Sequence, residues 1–281
     1  MSKNTIEKIT NLVLCGGGVK GISHIGALYA LSVIGYLKNI ENFAGTSVGG
    51  MIIALHVMGY SPAELYDFIK LFNLHKIKDI SITNIYSFGF DTGSKFEYII
   101  KRMIKSKGHN ENITMNELYN KTKKHITLVT VCLNTMELCY ISHETFPDLE
   151  VSIAIRMTTS IPFIFCPVSY KDKLYVDGGC MDSYPISVFK NNLDKTIGIL
   201  LIDSHNTIDK IDNLETYIFR VLECMNTGMS VKLNQGYEEN TIEIHVENIN
   251  FINYDINQDT KDQLFIQGFK SIIENKLILL S

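Results

Sequence analysis

Several protein classes are excluded by what this chain lacks. No run of about 18 apolar residues, the length a bilayer-spanning helix needs, occurs in its 281 residues. The opening stretch, Met1 to Thr10, is polar and holds no apolar segment of the secretory kind. The expected location is therefore intracellular, in the cytoplasm or peripheral at a membrane. Six cysteines, at positions 15, 132, 139, 166, 180 and 224, include no C-x-x-C pair. That spacing indicates neither a zinc site nor a dense disulfide framework, and buried reduced thiols are expected. Lys and Arg number 26 against 30 Asp and Glu, a formal net charge of -4. This balance argues against a general affinity for nucleic acid, which requires a cationic surplus to displace phosphate counterions. Local basic groups do occur, Lys101, Arg102, Lys105 and Lys107 and then Lys121, Lys123 and Lys124. They read as solvated helix faces. There is no internal repeat, low-complexity tract or clear interdomain linker.

What is present is an ordinary globular composition, 46% hydrophobic and 20% charged, in a length suited to one large domain. Leu12 to Cys15 reads as a buried strand, followed by glycines and then a helical pattern through Ile22, Ile25, Leu28 and Leu31. Phe43 and Ala44 lead into a second glycine turn at Gly45 to Gly49, after which Met51, Ile52, Leu55 and Met58 continue as a helix. Ser61-Pro62-Ala63-Glu64 and Thr114-Met115-Asn116-Glu117 both carry the capping-box signature of a helix start. Strands are expected at 126–131, 138–141, 173–176, 196–203 and 241–246, and helices near 151–157, 214–225 and 260–274. Strands alternating with helices predict an α/β fold whose mainly parallel central sheet is covered on both faces.

Three short motifs carry chemistry. Gly45-x-Ser47-x-Gly49 matches the nucleophile elbow, where a serine on a tight strand-to-helix turn projects its oxygen outward. Gly16-x-Gly18-x-x-Gly21 follows the first strand and has two readings. It could supply backbone donors to an oxyanion beside the serine. It also satisfies the dinucleotide fingerprint, although Glu41, about twenty residues on, precedes the next strand where a ribose ligand would end it. Asp177-Gly178-Gly179 follows the strand-like Leu174-Tyr175-Val176 and by itself is a favoured hairpin turn.

Taken in order, these motifs resemble those of the patatin-like phospholipases, from about Leu12 through Asp203 and more weakly to the C-terminus. Supporting likenesses are Gly21 to Leu28, Phe90-Asp91-Thr92-Gly93 and Ser160-Ile161-Pro162. The resemblance implies a three-layer α/β/α patatin-like fold, with a catalytic core at 11–203 and a C-terminal α/β extension at 204–281 packed on the same domain. It implies a lipid acyl hydrolase, phospholipase A-type, that forms an acyl-enzyme. Ser47 would be the nucleophile and Asp177 the base, with amides of Gly16, Gly17 and Gly18 as the oxyanion hole. Lys20, Gly21, Gly45, Gly49, Gly178 and Gly179 complete the matched motifs. The implied partner is a phospholipid or other acyl lipid, with peripheral membrane contact allowed, and the mechanism calls for no cofactor and no metal. Lys20 stands where the family often has arginine, and Met136 where glycine is common. The first change keeps charge but loses a planar fork.

Two alternatives stand beside this reading. One is a catalytically silent lipid-binding or interaction protein of the same fold. The other is an esterase with a serine, histidine and acid triad. Of eight histidines, His24 and His56 fall in apolar helical patterns, and His205, after the strand ending at Asp203, is the best triad candidate.

Overall fold

A computed structural model describes residues 9–71, 79–203, 210–233, 235–246 and 256–275. The central sheet is built on β1 (Asn11–Leu14), β2 (Asn42–Thr46), β4 (His125–Cys132), β9 (Thr196–Asp203) and β10 (Thr241–Val246), all mutually parallel in the order β10-β9-β1-β2-β4. Three further strands run antiparallel to their neighbours: β5 (Glu137–Ile141) and β8 (Lys173–Asp177) on β4, and β7 (Val168–Tyr170) on β8. A separate two-stranded sheet pairs β3 (Gly89–Asp91) with β6 (Phe163–Phe165).

Side chains alternate across a strand, so each buried strand feeds two cores. Leu12 and Leu14 enter the larger core, with α1 (Ile22–Val33), α2 (Val48–Val57), α6 (Val151–Thr158) and α8 (Gln258–Glu274). Val13 and Cys15 point the other way, into a smaller cluster with Ala44, Leu200, Tyr184 and Ile186. The result is a three-layer α/β/α arrangement around a mixed, mostly parallel sheet. Strand β10 extends the sheet beyond β9, and α8 crosses α1 so closely that a Cβ at Gly26 would lie 2.0 Å from the Phe265 carbonyl oxygen.

The predicted helix starts hold. Thr114 and Glu117 form a reciprocal capping box at α5 (Met115–Thr122). Ser61 and Glu64 exchange the equivalent bonds before α3 (Pro62–Leu71). On α4 (Ser94–Ser106), Arg102 and Lys105 are exposed, while Lys101 pairs with Glu97 and Glu150. One boundary differs from expectation: Gly45 belongs to β2 and the turn begins at Ser47. Met136 occupies the β4–β5 turn with φ 56, the left-handed conformation that favours glycine. All six cysteines are free thiols. Among the described residues no helix is long and apolar enough to cross a membrane.

Candidate active site

Strand β4 brings the two distant motifs together. Along one edge, residues 125–129 pair in parallel with β2, which places Thr46 opposite Val129. Farther along that edge, β8 pairs antiparallel and places Asp177 opposite Thr130. Strand β5 takes the other edge. Because β2 and β8 approach from opposite directions, their C-terminal ends meet at neighbouring residues of β4. Ser47 follows the first end and Asp177 forms the second, so positions 130 apart in sequence touch.

Ser47 has φ 54 and ψ -128, a strained conformation for a residue with a side chain. Two contacts impose it. The Ser47 N–H donates to Thr158 Oγ1 at 2.9 Å, and the Thr158 hydroxyl donates to the Val129 carbonyl at 2.6 Å. On the helix side, α2 starts so close to β1 that a Cβ at Gly49 would lie 2.4 Å from the Cys15 carbonyl oxygen. Only glycine fits there, which explains the last position of G-x-S-x-G. The unpaired N–H groups of the first turn of α2 give this end a partial positive charge.

The Ser47 hydroxyl donates to Asp177 Oδ2 at 2.6 Å, and the Gly179 N–H donates to Oδ1 at 2.7 Å. Ser47 and Asp177 are both buried, at 7% and 4% exposure. Burial pushes the Asp177 carboxyl from 3.8 up to about 7, against the opposing pull of the Ser47 and Gly179 hydrogen bonds. Such a carboxylate is basic enough to take a hydroxyl proton near neutral pH. The D-G-G segment is not a hairpin. It leaves β8 as a single 3₁₀ turn, Gly178–Cys180, pressed so near β4 that a Cβ at Gly178 would lie 2.5 Å from the Val129 carbonyl oxygen.

The first glycine loop lies beside this pair, since a Cβ at Gly16 would sit 3.4 Å from Ser47 Cβ. One expectation needs correction. The Gly16 N–H donates to the Ser183 carbonyl at 2.9 Å and is therefore engaged. The N–H groups of Gly17 and Gly18 have no acceptor among the described residues, so the loop's available donors narrow to those two. Lys20 is buried in the following turn, and Gly21 packs against Val48 at the start of α2.

Sequence reasoning missed two supports. Thr158, the last residue of α6, holds the Ser47 amide; its only sequence signal is that it stands just before Ser160-Ile161-Pro162. The Asp182-Ser183 segment latches both motif strands: the Thr46 hydroxyl donates to the Asp182 carbonyl at 2.9 Å, and Gly16 bonds to Ser183. The Asp182 carboxyl, raised by burial, accepts from the Tyr184 N–H and more distantly from the Tyr140 hydroxyl.

The described histidines have other partners. His24 is fully buried, bonds to the Cys15 carbonyl at 2.9 Å and is held down to about 4 by desolvation, so it is neutral packing. His56 bonds to the Tyr60 carbonyl and His109 to that of Met58. His75 and the triad candidate His205 lie outside the described residues.

Comparison with known proteins agrees with this architecture. A family model for patatin-like phospholipases matches residues 12–190. An uncharacterized protein of Acanthamoeba polyphaga mimivirus is 31% identical over 291 residues, covering 98% of this chain and 96% of that relative. A protein named as a probable lipid hydrolase, from Invertebrate iridescent virus 6, is 26% identical and covers 83% of this chain and 82% of its own. The crystal structure of VipD from Legionella pneumophila aligns with a TM-score of 0.64 at 15% identity, over 97% of this chain and 67% of that one. Fold and family model together define a hydrolase of the α/β/α type. The chain belongs to the patatin-like phospholipase family.

Proposed function

We propose that this protein is a phospholipase A-type acyl hydrolase that works through Ser47 and Asp177. The observation that carries the proposal is the 2.6 Å hydrogen bond from the Ser47 hydroxyl to a buried carboxylate of raised basicity. In the first half-reaction Asp177 takes the Ser47 proton as Oγ attacks the ester carbonyl. The resulting oxyanion is stabilised by the Gly17 and Gly18 amides and the N-terminal end of α2. Collapse expels the alcohol, which takes the proton from Asp177 and leaves an acyl-serine. Asp177 then draws a proton from water as it attacks that ester, releasing the fatty acid and restoring the serine. No cofactor enters these steps.

The lipid class of substrate is supported by the family and by the viral relative named as a probable lipid hydrolase. We assign the catalytic core to residues 11–203 and treat 204–281 as an extension of the same domain, because β10 pairs with β9 and α8 packs on α1. The test compares wild type, Ser47→Ala and Asp177→Asn on a soluble p-nitrophenyl ester and on phospholipid vesicles, with product analysis. Loss of fatty-acid release in both variants is expected. Activity unaffected by Ser47→Ala would refute the reading, and loss on vesicles alone would assign the residue to interfacial binding instead.

A further inference from the structure

Away from this site, the antiparallel pairing of β4 with β5 gathers three potential ligands that the catalytic reading does not use. Leu128 lies opposite Ile141, so His125, three residues back on β4, and Glu144, three residues past Ile141, leave the ladder side by side with His143. One ligand atom from each of the three lies within 4.8 Å of the others. The turn that carries His143 and Glu144 is held from within. The Ser142 N–H donates to Thr145 Oγ1 at 2.9 Å, and the Thr145 hydroxyl donates to the Tyr140 carbonyl at 2.6 Å.

His143 is the best fixed of the three. Its side chain is only 10% exposed, its ring stacks on Tyr119 at 3.7 Å and 11°, and His125 meets it edge-on at 4.5 Å. Its Nε2 lies 3.9 Å from Glu144 Oε1, while its Nδ1 is buried without a hydrogen-bond partner. In either tautomer the buried Nδ1 goes unmet, a cost that a bound ligand could offset.

We propose that His125, His143 and Glu144 form a binding site for a zinc-class divalent ion. Two imidazoles and one carboxylate are the donor set of a borderline cation, not of calcium or magnesium. Zinc bonds of about 2.0–2.1 Å put tetrahedral ligand atoms roughly 3.3 Å apart, so the three, which lie within 4.8 Å of one another, must close by up to about 1.5 Å. Glu144, 73% exposed, has the freedom to do so, and the solvent side leaves the fourth position to water. The ion would tie the start of β4 to the turn after β5. Four residues of strand, about 13 Å, separate His125 from Val129 beside the serine, so this is a structural clip and not part of the acyl-transfer site.

The test uses the full chain stripped with EDTA and titrated with ZnCl2 by calorimetry, with Co2+ absorbance reporting the ligand set. Wild type should bind one equivalent and melt at a higher temperature with zinc than without. His143→Phe keeps a ring against Tyr119 but removes both nitrogens. It should melt like metal-free wild type and bind zinc at least about tenfold more weakly, as should His125→Gln. Ester hydrolysis should be unchanged in both variants. No heat and no melting shift for wild type at millimolar zinc would overturn the proposal. Equal binding by wild type and His143→Phe would also overturn it, because the ion would then sit elsewhere, as on the free cysteines.

Discussion

Asp177→Asn should make this protein inactive and, above neutral pH, more stable. An unfolded aspartate gives up its proton near 3.8, whereas burial holds the folded Asp177 carboxyl up to about 7. Between those values the folded state binds more protons than the unfolded state, so stability falls as pH rises. The contribution is fully present below the unfolded pKa and is lost as pH rises through the folded pKa. At about 1.4 kcal/mol per decade, the complete loss is roughly 4 kcal/mol, of which about 2.5 kcal/mol falls between pH 5 and pH 8. Asparagine does not titrate, and its geometry is tolerable: Oδ1 still accepts from the Gly179 N–H while Nδ2 donates to the Ser47 oxygen. Urea unfolding of both proteins across this range gives the difference directly, with the other titrating groups cancelling to first order. The variant should gain on wild type by about 2.5 kcal/mol from pH 5 to pH 8, and wild-type kcat/KM on a soluble ester should rise to a plateau above about pH 7. Parallel stability profiles would show that Asp177 is not held in its protonated form by burial, and the case for it as a base of raised basicity would fail.

Three smaller effects follow from the same geometry. Thr158→Val keeps volume but strips the acceptor from the Ser47 N–H; it should lower kcat with little change in KM and cost about 1–3 kcal/mol in urea unfolding, and an unchanged kcat would remove Thr158 from the positioning role. Gly49→Ala drives a Cβ to 2.4 Å from the Cys15 carbonyl oxygen and should destabilise by about 2 kcal/mol or more; a neutral result by thermal melting would contradict the tight β1–α2 approach. Met136→Gly relieves a left-handed residue that is 81% exposed and should raise stability by about 0.5 kcal/mol, with a lower melting temperature counting against strain at that turn.

Some of this site was legible in the sequence because local chemistry dictates local shape. The flanking glycines of Ser47 mark a position where chain segments crowd, Gly45 against Gly49, Gly50 and Ile53 and Gly49 against Leu14 and Cys15. Asp177 was legible only by its company, since aspartate-glycine ordinarily makes a hairpin and only the pairing of β8 on β4 shows otherwise. Strand direction is not written in a residue pattern: alternating strands and helices pointed to a mainly parallel sheet, which is found, but not to which strands, β5, β7 and β8, run antiparallel. Thr158 left no usable trace: one hydroxyl in an apolar helix acquires its role from a partner 111 residues away. The same holds for Gly16, whose amide is claimed by Ser183, a residue with no motif of its own.

The end-to-end meeting of β2 and β8 on a single edge of β4 also sets when activity can first appear. On the proposed mechanism, a growing chain that has finished the serine elbow holds an inert hydroxyl, because Asp177 is still 130 residues from being made. Even a complete chain has no reactive serine until β4 has been threaded beside β2 and β8 has docked in register, since a slip of two residues moves Asp177 by roughly 7 Å. If the proposed pair is the catalytic one, hydrolytic competence is thereby tied to completion of the sheet, and a product truncated before β8 should show no ester hydrolysis.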